Sequence, residues 1–174
     1  VTLQGQAAAK DSLEVIFARD LSVDDGRFAN NGWCQEVPDP ITKIVWDNVI
    51  SVSRKTAEEL GLENGKLATV TLGGETVEGA VWVQPGQADH TLALPLGYGR
   101  RGQLRIANFE YKGSGPKVGG FDAYPIRPGT TTNFAAGAKI KGSNKDYSLS
   151  STQEHWSMEG RAIVRETTMA DKTL

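Results

Sequence analysis

Apolar and polar positions change rhythm several times along this chain, and the densest ordered stretch lies at residues 50–99. Ile50 and Val52 alternate around Ser51, a period of two that predicts a strand. Ser53 then supplies a side-chain oxygen suited to capping a helix N-terminus. Residues 55–60 are good helix formers, with Ala57 and Leu60 spaced to share one face. Gly61 can close that helix in the left-handed conformation without a Cβ clash. Asn64-Gly65 predicts a turn into a strand over Lys66–Leu72, and Gly73-Gly74 a second turn into a strand over 76–84. A helix of about two turns does not persist alone in water, so it must be clamped between strands. Strand, short helix and tight hairpin predict a mainly β chain closed as a barrel, whose crossover is too short for a doubly wound sheet. Val70, Leu72, Val81 and Val83 are the expected interior, each worth about 1.5–3 kcal/mol when fully buried.

Upstream, Leu13–Ala18 (LEVIFA) reads as a buried strand, with residues 1–12 a flexible leader. Asp24-Asp25-Gly26 predicts a turn and residues 27–32 a loop. Pro38 and Pro40 forbid regular helix nearby, and residues 41–46 are a weak strand candidate before a polar Asp47-Asn48 turn. Downstream, 105–109 is expected as a brief strand, 112–120 as a glycine-rich loop and 121–127 as extended chain, with Pro125 confining it to an edge. Residues 130–132 and 135–138 read as small-residue connectors and 147–149 as a final strand. The barrel is thereby expected over residues 13–149 and an extended tail over 150–174, anchored by Trp156, Ile163 and Val164.

Composition narrows the class. The chain has 174 residues, 39% hydrophobic and 23% charged, enough for one domain with a core. Its 20 glycines suit a turn-rich β chain, and a net charge of −2 offers no field for gathering nucleic acid or anionic lipid. No apolar run approaches the roughly 20 residues of a membrane span, so direct membrane insertion is not expected. The chain opens at Val1, which reads as an excised piece of something longer.

Candidate chemistry is sparse. Cys34 is the single cysteine, so Cys-based metal and cluster sites are excluded; without a basic neighbour it is expected as a small buried hydrophobe. His90, after a Gly-Gln-Ala-Asp turn, is expected as an exposed turn residue, and His155 as a surface or packing residue; the two lie far apart for a metal site. Gly113, Gly115, Gly119 and Gly120 match a phosphate loop in composition only. Three glycine loops stand out: Asp25-Gly26-Arg27, Gly97-Tyr98-Gly99-Arg100 and Gly120-Phe121-Asp122. Each puts a polar or charged residue beside glycine at the end of a β segment, where barrel loops converge on ligands. Together they form either a cradle for a nucleotide or pterin, or simply three turns.

The run Ala57-Glu58-Glu59-Leu60-Gly61-Leu62-Glu63-Asn64-Gly65-Lys66-Leu67-Ala68-Thr69-Val70, followed by Pro85-Gly86 and Gly97, resembles the C-terminal dinucleotide-binding domain of molybdopterin oxidoreductases. The flanking blocks 30–33, 35–43, 46–48, 120–127 and 152–161 resemble the molybdopterin-oxidoreductase-like iron–sulfur subunit of bacterial alternative complex III, a quinol-oxidising respiratory complex. The resemblance runs over residues 28–168 and implies a double-psi β-barrel. It implies a subunit whose front part resembles a molybdopterin enzyme but holds no metal cofactor, with iron–sulfur clusters in a downstream ferredoxin-like part. In cofactor-bearing relatives a threonine-glycine-arginine turn and a later asparagine contact the pterin dinucleotide. Here Asp25-Gly26-Arg27 would stand for the first and Asp122 for the second, with Gly97 and Arg100 beside them. Two carboxylates facing a pyrophosphate are unfavourable unless Arg27 or Arg100 neutralises them.

The resemblance therefore implies a non-catalytic scaffold with no cofactor in this fragment. Its partners would be the rest of the parent subunit and other subunits of a membrane-bound complex, on the periplasmic side of the bacterial inner membrane. Trp33, Trp46 and Trp82 are the expected interface anchors. The alternative is a genuine pterin-dinucleotide-binding domain of a molybdenum or tungsten oxidoreductase, holding molybdopterin guanine dinucleotide. An unrelated double-psi barrel serving as a binding module is the third reading.

Overall fold

The computed structural model describes residues 8–101, 105–107, 119–130 and 133–152, together with 160, 161 and 168. Alternating burial in β1 (Leu13–Ala18) puts Leu13, Val15 and Phe17 inside, as a half-buried strand requires. After α1 (Gly32–Glu36) and β2 (Ile44–Val45) come β3 (Ile50–Val52) and α2 (Arg54–Leu60). The hairpin of β4 (Lys66–Leu72) and β5 (Glu75–Val83) turns at Gly73-Gly74, and β6 (Thr91–Pro95) follows. A short 3-10 helix (Tyr124–Ile126) leads to β7 (Phe134–Asp146), and β8 (Ser150–Ser151) pairs with β2 in a separate ribbon.

Six strands close a barrel in the order β1-β6-β3-β5-β4-β7. Two neighbouring pairs, β1/β6 and β3/β5, run parallel, and β3/β6 runs antiparallel. These crossed connections make it the double-psi barrel expected. The interior is packed with Val15, Ile50, Val70, Val81, Leu92 and Leu94, as a barrel this narrow must be. Val70, Leu72 and Val81 are buried as expected, while Val83 packs half-buried at the core's margin.

The clamped helix forms for the anticipated reasons. The Ser53 Oγ accepts the Thr56 N–H at 3.1 Å, and Gly61 ends the helix at φ 63°. Ala57 and Leu62 then plug the barrel. His90 departs from expectation: it is half-buried, its ring Nε2 lies 2.8 Å from Glu59 Oε2, and its N–H donates to the Thr56 hydroxyl at 2.7 Å. The turn that carries it is docked on α2, which takes its ring out of solvent.

Downstream segments differ more. Residues 135–138 are not connectors but part of β7, the longest strand, which pairs with β1 on one side and β4 on the other. Only Ala135 and Ala138 of its first half are fully buried, so it carries no apolar run to read. The expected strand at 41–46 shrinks to Ile44–Val45 because Asp39 Oδ1 accepts the N–H groups of Ile41 (2.9 Å) and Thr42 (2.6 Å), curling 39–43 into a turn. Residues 32–36 form α1, a helix beside the prolines expected to forbid one, and it ends before Pro38; Asn31 caps Trp33, and the buried Gln35 donates to the Ala29 carbonyl at 2.8 Å. Residues 124–126 are 3-10 helix, and 105–107 a turn held through Asn30; 108–109 lie outside the described residues. Among the described residues the last strand is Ser150–Ser151, not 147–149. Of the tail, His155, Trp156, Ile163 and Val164 lie outside the described residues, as do Gly113 and Gly115.

Ala138 pairs directly with Leu13, both fully buried. Ala138→Leu should therefore overpack the closure and cost about 1–3 kcal/mol in urea unfolding. An unchanged midpoint would mean that β7 does not seal the barrel.

Candidate functional site

Parallel neighbours end at the same rim of a barrel, so the chain leaving β1 and the chain leaving β6 emerge side by side. The ladder runs on past β6, with Leu96 N–H donating to Ala18 O at 2.8 Å. Beyond β1, Asp20 Oδ1 accepts the N–H groups of Ser22 and Val23 at 2.8 Å each, folding the first loop back so that Asp20 and Asp24 bridge. Asn48 brings in the third loop. Its side-chain amide donates to Pro95 O at 2.7 Å and Phe121 O at 3.0 Å, and its oxygen accepts Phe121 N–H at 2.8 Å. In the sequence Asn48 reads as half of a polar turn and as part of the 46–48 block, not as a clamp. Nothing local marks it, because its partners lie 47 and 73 residues away.

All six candidate residues, Asp25, Gly26, Arg27, Gly97, Arg100 and Asp122, belong to this junction. Gly97 lies so close to the first loop that a Cβ there would sit 2.7 Å from Gly26 N and 2.9 Å from Asp24 O. At Gly99 a Cβ would overlap Asp122 N, and the Gly99 N–H donates to Gly119 O at 3.0 Å. Arg100 Nη1 donates to Gly26 O at 2.7 Å, and Tyr124 Oη donates to Asp25 O at 2.8 Å. The three loops thus pack backbone against backbone.

The charges are committed as well. Arg27 grips Asp25 with both arms, Nε to Oδ1 at 3.0 Å and Nη2 to Oδ2 at 2.8 Å, and reaches Asp24 at 3.4 Å. These bonds hold the Asp25 carboxyl well below the usual carboxylate range and raise the guanidinium. Asp24 is also paired with Arg19. Asp122 Oδ1 accepts the Tyr124 N–H at 3.0 Å. A pyrophosphate cradle needs free N–H donors and cations facing one space. Here the arginines answer the loops' own carboxylates and carbonyl, and glycine backbones fill the place between them. Arg27 and Arg100 thus face the loops' own groups in this arrangement.

Of the remaining candidates, Cys34 is half-buried against Val23, Ala29 and Tyr98, a packing position more open than expected. Among the described residues no group of three or more His, Cys, Asp or Glu could hold a metal ion.

Two outcomes check this junction by urea unfolding. Asn48→Ala strands a buried N–H and two carbonyls, and should cost upwards of ~2 kcal/mol; a loss within ~0.5 kcal/mol would mean that the third loop is held otherwise. Gly99→Ala should cost at least ~1 kcal/mol more than Gly73→Ala, because both glycines have positive φ but only Gly99 abuts another backbone. Equal losses would show that the loops part freely.

No known family model matches this chain, and no curated protein matches it. Among solved structures, acetylene hydratase from Pelobacter acetylenicus is similar to it, with 22% identity over 49% of this chain and 11% of that one, at a TM-score of 0.41.

Proposed function

We propose that this chain is a barrel domain of the molybdopterin-dinucleotide-binding type that serves as a non-catalytic scaffold in a larger electron-transfer subunit. The parent would be the iron–sulfur subunit of a quinol-oxidising respiratory complex on the periplasmic side of a bacterial inner membrane, as the residue blocks at 30–33, 35–43, 46–48, 120–127 and 152–161 suggest. One observation carries the scaffold reading: the loops that would cradle a pterin dinucleotide are closed on each other, with Arg27 held by Asp25 and Arg100 by the Gly26 carbonyl. Bringing a pyrophosphate there means breaking both contacts and setting its charge beside Asp24, Asp25 and Asp122, which Coulomb repulsion opposes. Electron transfer would then belong to clusters elsewhere in the parent subunit. Trp33, with 81% of its surface exposed on α1, suits a contact with that remainder.

The test is metal and pterin analysis of the purified full-length parent subunit. Substoichiometric molybdenum, tungsten and pterin are expected, unchanged in Arg27→Ala and Arg100→Ala. A stoichiometric amount that falls in either variant would overturn the proposal in favour of a dinucleotide-binding domain.

A further inference from the structure

The outer face of β3 borders a cavity that adjoins the glycine-loop junction and shares Asp20, Asn48, Pro95 and Tyr98 with it. Ile50 and Val52 point into the barrel, so Ser51 points out, yet it is only 8% exposed. It lines a cavity of about 110 Å³ together with Asp20, Asp39, Asp47, Asn48 and Tyr98. A single water needs only ~10–15 Å³ of such space, so the cavity can take an organic group.

Its polar walls are incompletely used. The hydroxyls of Ser51 and Tyr98, the latter residue 6% exposed, make no hydrogen bond with the described residues. Asp20 and Asp39 each commit one carboxylate oxygen to backbone N–H groups and leave the other without a partner among the described residues. No lining residue is basic. Burial pushes the Asp20 carboxyl above its ordinary range despite those two backbone bonds, and the charge of Asp39 adds to the push. Burial likewise raises Tyr98, reinforced by Asp20, Asp47 and Asp39. These half-buried acids and the hydroxyls facing the cavity present acceptors with no cation among the lining, and a positive group entering the cavity would satisfy them.

The mouth adds a second requirement. Leu21, 76% exposed, and Ile41, 71% exposed, stand at the cavity with the exposed Val37. Three large apolar side chains around an acidic interior complement a group with a greasy stem and a charged head, the build of lysine and arginine. A bare metal ion would leave most of the cavity and all of that collar unused.

We infer that this cavity is a docking site for a lysine or arginine side chain carried on an apolar segment of a protein partner. The acids meet the cation, Ser51 and Tyr98 accept from its N–H groups, and the collar covers its stem and flanking residues.

The experiment is amide NMR on this chain, titrated with N-acetyl amides of Leu-Lys-Leu, Leu-Arg-Leu and the uncharged Leu-norleucine-Leu, and with butylammonium. Saturable shifts at Leu21, Ile41 and Ser51 are expected for at least one cationic peptide, with about tenfold weaker binding of the norleucine peptide and of butylammonium. Asp39→Asn and Leu21→Ser should each weaken the cationic peptide severalfold; Leu21 is exposed, so that variant keeps the fold and the test. The inference is overturned by an absence of saturable shifts, by norleucine binding equal to that of both cationic peptides, or by unchanged affinity in Leu21→Ser. Butylammonium binding as tightly as the peptides would also overturn it, in favour of a small-amine site.

Discussion

Closure by β7 is the constraint on which the molecule rests. An open sheet of five strands would leave unpaired N–H and C=O rows at β1 and β4. β7 pairs with both, Ala135 and Ala138 against β1 and Ile140 against Val70 of β4. It shifts register against each, and such irregularities let one long strand bend around a barrel corner. Alanines suit that role because β1, β3 and β6 already fill the interior with Leu13, Ile50, Leu92 and Leu94. A larger side chain from a sixth strand has nowhere to go.

Closure also decides where the loops meet. Because β1 and β6 are parallel, their C-terminal ends share one rim, and the buried carboxamide of Asn48 pins the 121–122 segment beside them. The resulting junction is rich in charge but internally balanced: Arg19 and Arg27 answer Asp24 and Asp25, and Arg100 answers a carbonyl. On the outer face of β3 the balance is different. There Asp20 and Asp39 line a cavity whose lining holds no basic residue. Charge satisfied within the chain fits support of its own architecture, and charge left unanswered beside an apolar collar fits reception of something else.

Much of the fold was legible. Ser53, Gly61, Asn64-Gly65 and Gly73-Gly74 each encode a cap or turn by local chemistry, and β1 and β4 carry the alternation that burial of one face demands. The three glycine loops were legible as a group, because glycine beside a charge at a strand end is a local pattern. What they do together was not. Arg27 next to Asp25 could equally have pointed at a ligand, and only the approach of Gly97 to Gly26 shows the space between them filled.

The sequence by itself determined the helix between strands, the hairpin and the mainly β character, since these follow from periodicity, caps and turn residues within a few positions. Tertiary structure alone decided β7, α1, the role of Asn48, the docking of His90 on α2 and the acidic cavity outside β3. Each depends on partners brought from tens of residues away. Ala138 is a strand residue because Leu13 lies opposite, and Asn48 is a clamp because Pro95 and Phe121 come within reach. A side chain's local preferences are written in its neighbours along the chain, but its burial and its bonds belong to neighbours that only folding supplies.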